Sequence, residues 1–144
     1  MYTIEQLSTL TGLTTRTLRN YLKADMLQGS KDTGIWQFTE EQVSQFVRHP
    51  AVALSIQAKH HAIVYDFLAR RDHSENEMCI LLDRTLPEEE AKKLADFFCQ
   101  AVSRRSHIRF AFSYESGKAR YMLKGAEADV SQIMREGYQS PHLL

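Results

Sequence analysis

Two short amphipathic segments separated by one glycine constrain this chain more than any other feature in it. "TIEQLSTLTG" opens with Thr3 and Gln6 at capping-box spacing, repeats Ile4, Leu7 and Leu10 on one helical face and ends at Gly12. A second helix must then start almost at once, with Thr14 as the N-cap of "TRTLRNYLKA". Its Leu18, Tyr21 and Leu22 form an apolar stripe, and Arg16, Arg19, Asn20 and Lys23 fall on the opposite side. Two helices this short, joined by a three- or four-residue turn containing glycine, predict a helix-turn-helix that presents its second helix outward.

The segments that follow fit the same unit. "QGSKDTGIWQF" has turn residues around Gly29 and Gly34 and then Ile35, Trp36 and Phe38, which suits a two-stranded wing better than a helix. "TEEQVSQFVRH" repeats the capping-box spacing from Thr39 to Gln42, turns Val43, Phe46 and Val47 inward and stops at Pro50. Residues 51 to about 71 read as one longer helix through Val52, Ile56, Ile63, Val64, Phe67 and Leu68. Its apolar face suits either a dimer contact or packing on the chain's own domains. The polar run "DHSENE", residues 72–77, is the expected linker.

Beyond it the pattern changes. "MCILLD" suits a buried strand, a helix starts near Thr85 and Pro87, and "HIRFAFSY" alternates so that Ile108, Phe110, Phe112 and Tyr114 share a face. A hairpin turn at Gly117, a return strand and a last helix through Val130, Ile133 and Met134 complete a β-α-β-β-α order. The expected class is α+β. It comprises a winged helix-turn-helix over 1–49, a connecting and dimerisation helix over 50–72, and a two-layer β-α-β-β-α sandwich over 78–140 that dimerises or receives an effector. One sheet face of that sandwich would need cover, which a second copy of the chain could supply.

Charge does not announce a partner. Lysines and arginines number 18 and aspartates and glutamates 18, so any affinity for a polyanion must come from placement, not from net charge. No apolar run reaches the roughly 18–20 residues that cross a bilayer, and no leader pattern opens the chain, so a cytoplasmic protein without a membrane partner is expected. Cys79 and Cys99 sit in apolar runs outside any ligand spacing and read as reduced core thiols. Catalysis is not expected. His60 and His61 are adjacent and point about 100° apart on a helix, without ligand partners at metal-binding spacing. Glu88, Glu89 and Glu90 open a helix, where its dipole favours them. No phosphate loop or nucleophile motif is present, and neither metal nor cofactor is expected.

The stretch through Tyr2, Ile4, Leu7, Gly12, Leu13, Thr14, Arg16, Thr17, Leu18, Arg19 and Tyr21 resembles the winged helix-turn-helix of MerR-type transcription regulators and their excisionase-like relatives. The likeness covers about the first 49 residues. It departs at Asn20, where the family usually has tyrosine, and at Asp25, where it has glycine. The wing reads Gly34-Ile35-Trp36-Gln37-Phe38, without the family's arginine. The resemblance implies a sequence-specific regulator that binds double-stranded DNA; the few phosphate contacts available per copy, with the apolar faces of residues 51–71 and of the sheet, point to a homodimer.

The expected DNA contacts combine short hydroxyls, cations and helix-start amides. Thr14, Thr15 and Thr17 can approach phosphates or base edges, Arg16 and Arg19 can bind phosphate or guanine in a bidentate way, Asn20 shares their face and Lys23 adds a point charge. Lys31 and Trp36 are placed to touch flanking DNA from the wing, although Trp36 suits a cap on the small core better. Phe110, Phe112 and Tyr114 suit either core or the binding of a small apolar or aromatic effector. Two other functions fit the same residues: an architectural factor without effector, and an adaptor that uses the helix-turn-helix to bind protein.

Overall fold

The computed structural model describes residues 1–69, 76–105 and 107–140. The chain divides into two compact units, Met1–His61 and Ala62–Leu144. Both mix helix with antiparallel sheet, in keeping with the α+β class.

In the first unit a two-residue strand, β1 (Tyr2–Thr3), runs into α1 (Ile4–Thr11), and α2 (Thr15–Lys23) follows after three residues. Thr3 ends the strand and caps the helix, with its hydroxyl accepting from the Gln6 N–H while the Gln6 side chain accepts from the Thr3 N–H. Gly12 takes φ +79° at the end of α1, a conformation that costs an L side chain about 1 kcal/mol or more. Two hydroxyls hold the turn behind it. Ser8 Oγ donates to Leu13 O (2.6 Å), and the buried Thr11 Oγ1 donates to Leu7 O (2.8 Å) while accepting from the Leu13 N–H. The core beneath comprises Ile4, Leu7, Leu10, Leu13, Leu18, Leu27, Phe38, Val43 and Phe46, with Val52 and Ile56 from the fourth helix.

The wing is narrower than the expected two strands. Ser30 and Gln37 form a single bridge, each N–H donating to the other's carbonyl at 2.9 and 2.8 Å, and residues 31–36 loop out from it. The second strand, β2 (Gln37–Phe38), pairs instead with β1, in the register Tyr2↔Phe38 and Thr3↔Gln37. Phe38 is fully buried, so its backbone groups need partners away from water, and the chain's start provides them. Gly29 lies against that ring, because a Cβ there would stand 2.5 Å from Phe38 Cε1 and 3.1 Å from Gln37 O. Gly29→Ala should therefore cost roughly 1–3 kcal/mol through overpacking, read as a lower denaturation midpoint of the first unit.

Helix α3 (Glu40–Arg48) starts with the Thr39/Gln42 capping box, and α4 (Pro50–Leu68) begins at Pro50, whose missing N–H is harmless in a first turn. Val52 and Ile56 of α4 are buried in the first unit, and Ile63 in the second, while Leu68 is exposed. The face that the sequence marks as apolar is thus largely used within one copy. Of the expected linker, residues 72–75 lie outside the described residues, as do 70–72 of the expected helix, and Glu77 already belongs to a strand.

The second unit has the order β3 (Glu77–Thr85), α5 (Glu88–Ser103), β4 (Arg109–Glu115), β5 (Lys118–Ala126), α6 (Glu127–Gln139). The sheet order is β3-β5-β4, antiparallel throughout. Ser116 and Gly117, at φ +52° and +79°, make the two-residue turn between β4 and β5. Phe98 of α5 packs on Phe110 (5.8 Å between ring centres) and on Tyr121 (5.3 Å), whose hydroxyl donates to Ala91 O. On the opposite sheet face Ile63 covers Ala111 and Met122, with Val64 and Cys79 alongside. The centre of the face expected to need a second copy is therefore covered by the chain's own α4.

Candidate nucleic-acid interface

The inward side of α2 is fixed from three directions. Leu18 has no exposed surface, the Tyr21 ring meets Phe46 of α3 edge-on at 5.4 Å, and the Tyr21 hydroxyl donates to Ser55 Oγ of α4 at 3.3 Å. At about 100° per residue, Arg16, Arg19, Asn20 and Lys23 then share an outward arc roughly 100° wide. All four are exposed. The structure thus brings together on one exposed helix face the four polar side chains that the sequence placed there.

The threonines are less free. Thr14 Oγ1 accepts from the Thr17 N–H (3.1 Å) and donates to Thr17 Oγ1 (2.9 Å), so both hydroxyls serve the start of the helix. Thr15 is half-buried. The remaining first-turn amides and the arginines are the donors this end of the helix can offer to an anion.

The far end of α2 closes in a Schellman arrangement: Met26 N–H donates to Tyr21 O (3.0 Å) and Asp25 N–H to Leu22 O (3.2 Å). That motif puts its C′ residue in the left-handed region, and Asp25 stands there at φ +57°. Asp25→Gly should raise the stability of the first unit by about 0.5–1 kcal/mol, visible as a melting temperature several degrees higher. The same change removes a carboxylate two residues past Lys23.

In the hairpin loop, Trp36 is half-buried and stacks on Phe38 at 6.3 Å and 12°, with Lys31 Nζ 5.8 Å above its ring. Lys31 and Trp36 thus form a cation–π pair at the base of the loop. The exposed apolar side chain near its tip is Ile35, which lies outside β2 although the run "IWQF" predicts an extended strand there.

The backbone and the pattern of burial define a helix-turn-helix whose second helix carries the exposed cations. Residues 2–48 match the family model of the MerR HTH family regulatory protein. The left-handed Asp25 falls where the MerR-type pattern has glycine, and the local geometry accounts for that preference. The chain gave no match among curated proteins or among solved structures. The match ends before α4, so it carries no information on the second unit.

In that unit Phe110 is buried, and Phe112 packs on Tyr121 at 5.1 Å. Tyr114 donates its hydroxyl to Leu86 O at 2.8 Å. These three rings are thus engaged by the chain's own side chains and backbone. Burial and the Asp96 carboxylate push the Cys99 thiol up to about 12, and burial raises Cys79 while Lys124 acts against it. Both cysteines are free and stay protonated at neutral pH, which leaves them poor nucleophiles. Arg105 donates to Ala101 O and to Glu136, and so ties the end of α5 to α6. Among the described residues no three His, Cys, Asp or Glu side chains are grouped to hold a metal. Nor, among them, is any helix long and apolar enough to cross a membrane.

Proposed function

We infer that this chain is a DNA-binding transcription regulator that recognises its site through α2 in the major groove. The observation that carries the reading is the exposed arc of Arg16, Arg19, Asn20 and Lys23 on a helix whose opposite side is locked by Leu18 and Tyr21. A groove-reading helix needs long donors on its outer face and a rigid backing to hold their register. Lys31 and the Ile35 tip of the hairpin would meet the flanking backbone as a wing, with Trp36 bracing its base against Phe38.

The regulator would act as a homodimer. A balanced charge and a few cations per copy give a weak electrostatic contribution, and two copies double the phosphate contacts and fix a half-site spacing. The second unit would set that spacing, and any small-molecule effector would act there. The test is a mobility-shift selection from genomic fragments at low salt. Retention of a subset sharing a two-fold-related sequence is expected. No retained sequence would sink the reading in favour of a protein-binding adaptor, and phased sites without symmetry would favour an architectural factor.

A further inference from the structure

We propose that the outer edge of β3 pairs with β3 of a second copy, antiparallel and centred on Leu81, to join two three-stranded sheets into one of six strands. The inference rests on the dimeric regulator read above and says which surface makes the dimer.

Two hydrogen bonds fix which side of β3 is open. Leu86 N–H donates to Gly117 O (3.1 Å) at one end of the β3–β5 ladder, and Glu127 N–H donates to Asn76 O (2.7 Å) at the other. Both continue the register that runs from Thr85↔Lys118 to Glu77↔Ala126. Hydrogen-bonded pairs alternate in an antiparallel ladder, so even-numbered residues of β3 bond to β5. The odd-numbered ones, 77 to 85, direct their N–H and C=O groups to the outer edge. Among the described residues no strand lies on that side. The edge is nine residues long and carries no charge from Met78 to Leu82. Such an edge is a template for strand addition unless something covers or charges it.

The side chains argue for a copy of the same strand as the occupant. Leu81, Met122 and Ala111 form one row across the sheet, and this row runs from burial under Ile63 to the edge, where Leu81 is 51% exposed. A two-fold axis at Leu81 sets the two leucines against each other and joins the two rows. In this register Ile80 faces Leu82, Met78 faces Arg84, Glu77 faces Thr85 and Cys79 faces Asp83, with no like charges opposed. The charge of Asp83 is already matched within its own sheet by Arg120, whose Nε and Nη2 lie 2.7 and 2.9 Å from the carboxylate. Moving the axis to Ile80 would oppose Glu77 and Asp83, an unfavourable like-charge pair. Moving it to Leu82 would oppose Leu81 and Asp83. The other edge strand, β4, has no exposed apolar side chain to bury by such pairing.

The test uses the full chain without DNA. Light scattering at micromolar concentration should give twice the 16.6 kDa chain mass. Leu81→Lys, which opposes two like charges at the axis, should return it to the single-chain mass with an unchanged far-ultraviolet spectrum. Directly opposed residues in a hydrogen-bonded pair have Cα atoms about 5.5 Å apart, within disulfide reach. Leu81→Cys should therefore cross-link on mild oxidation, whereas Leu82→Cys, facing Ile80, and the parent chain with Cys79 and Cys99 should not. A single-chain mass for the parent protein would overturn the proposal, and so would a dimer that Leu81→Lys leaves intact and Leu81→Cys does not cross-link. Either result leaves DNA binding by α2 standing, because the mobility shift tests that separately.

Discussion

Leu18→Ala should unfold the first unit while the second stays folded. Leu18 is fully buried, so truncation removes three carbons and leaves a cavity between α2 and its neighbours, at a cost of roughly 2–5 kcal/mol. At about 0.05–0.15 kcal/mol per residue, a unit of this size holds only roughly 3–9 kcal/mol, so the change consumes much or all of it. Hydrogen exchange read by mass spectrometry separates the two units. Amides of α1, α2 and α3 should lose protection and those of β3, β4 and β5 should keep it. Uniform protection in both units would show that α2 is not held through Leu18.

Arg16→Ala and Arg19→Ala should do the reverse, weakening DNA binding without unfolding anything. Both side chains are exposed and no shared packing depends on them, so a stability change within about 0.5 kcal/mol is expected. A lost bidentate contact to guanine costs about 1–3 kcal/mol, or roughly 5- to 150-fold in affinity, and a dimer loses it at both half-sites. The salt dependence discriminates between their roles. An arginine on phosphate should flatten the slope of log affinity against log salt by about one unit per contact, whereas one on a base edge should relax specificity at one position. Unchanged affinity in both variants would remove α2 as the recognition helix. Loss of stability equal to that of Leu18→Ala would reduce these arginines to structural parts.

Much of the first unit was legible because local rules act there almost alone. Thr3, Thr14 and Thr39 each cap the helix that the spacing assigned to them, and Gly12 takes the left-handed turn. Capping satisfies backbone groups within four residues, so it can be read from four residues. The order of elements along the second unit was legible for a related reason. Alternation over "HIRFAFSY" and a glycine turn force a hairpin, and the two helices have only one apolar face each to bury. The narrow wing was less legible, since β2 found its partner in β1, more than thirty residues away, and a two-residue strand has too little pattern to announce itself. Gly29 belongs with it, because what forbids a side chain there is the Phe38 ring packed against it.

The sequence by itself determined which side of α2 faces out, since apolar residues at three- and four-residue steps must be buried and leave Arg16, Arg19, Asn20 and Lys23 on the remaining arc. It also determined the order of the helices in the first unit and of the elements in the second, through caps, turns and periodicity that act over a few residues. Only the tertiary structure decided that Ile63 covers the sheet face over Ala111 and Met122, that Thr14 and Thr17 spend their hydroxyls on each other, and that β3 is an edge strand with Leu81 exposed. Each of these depends on which distant segments meet, and a pattern of periods fixes the faces of an element without fixing the neighbour that each face will find.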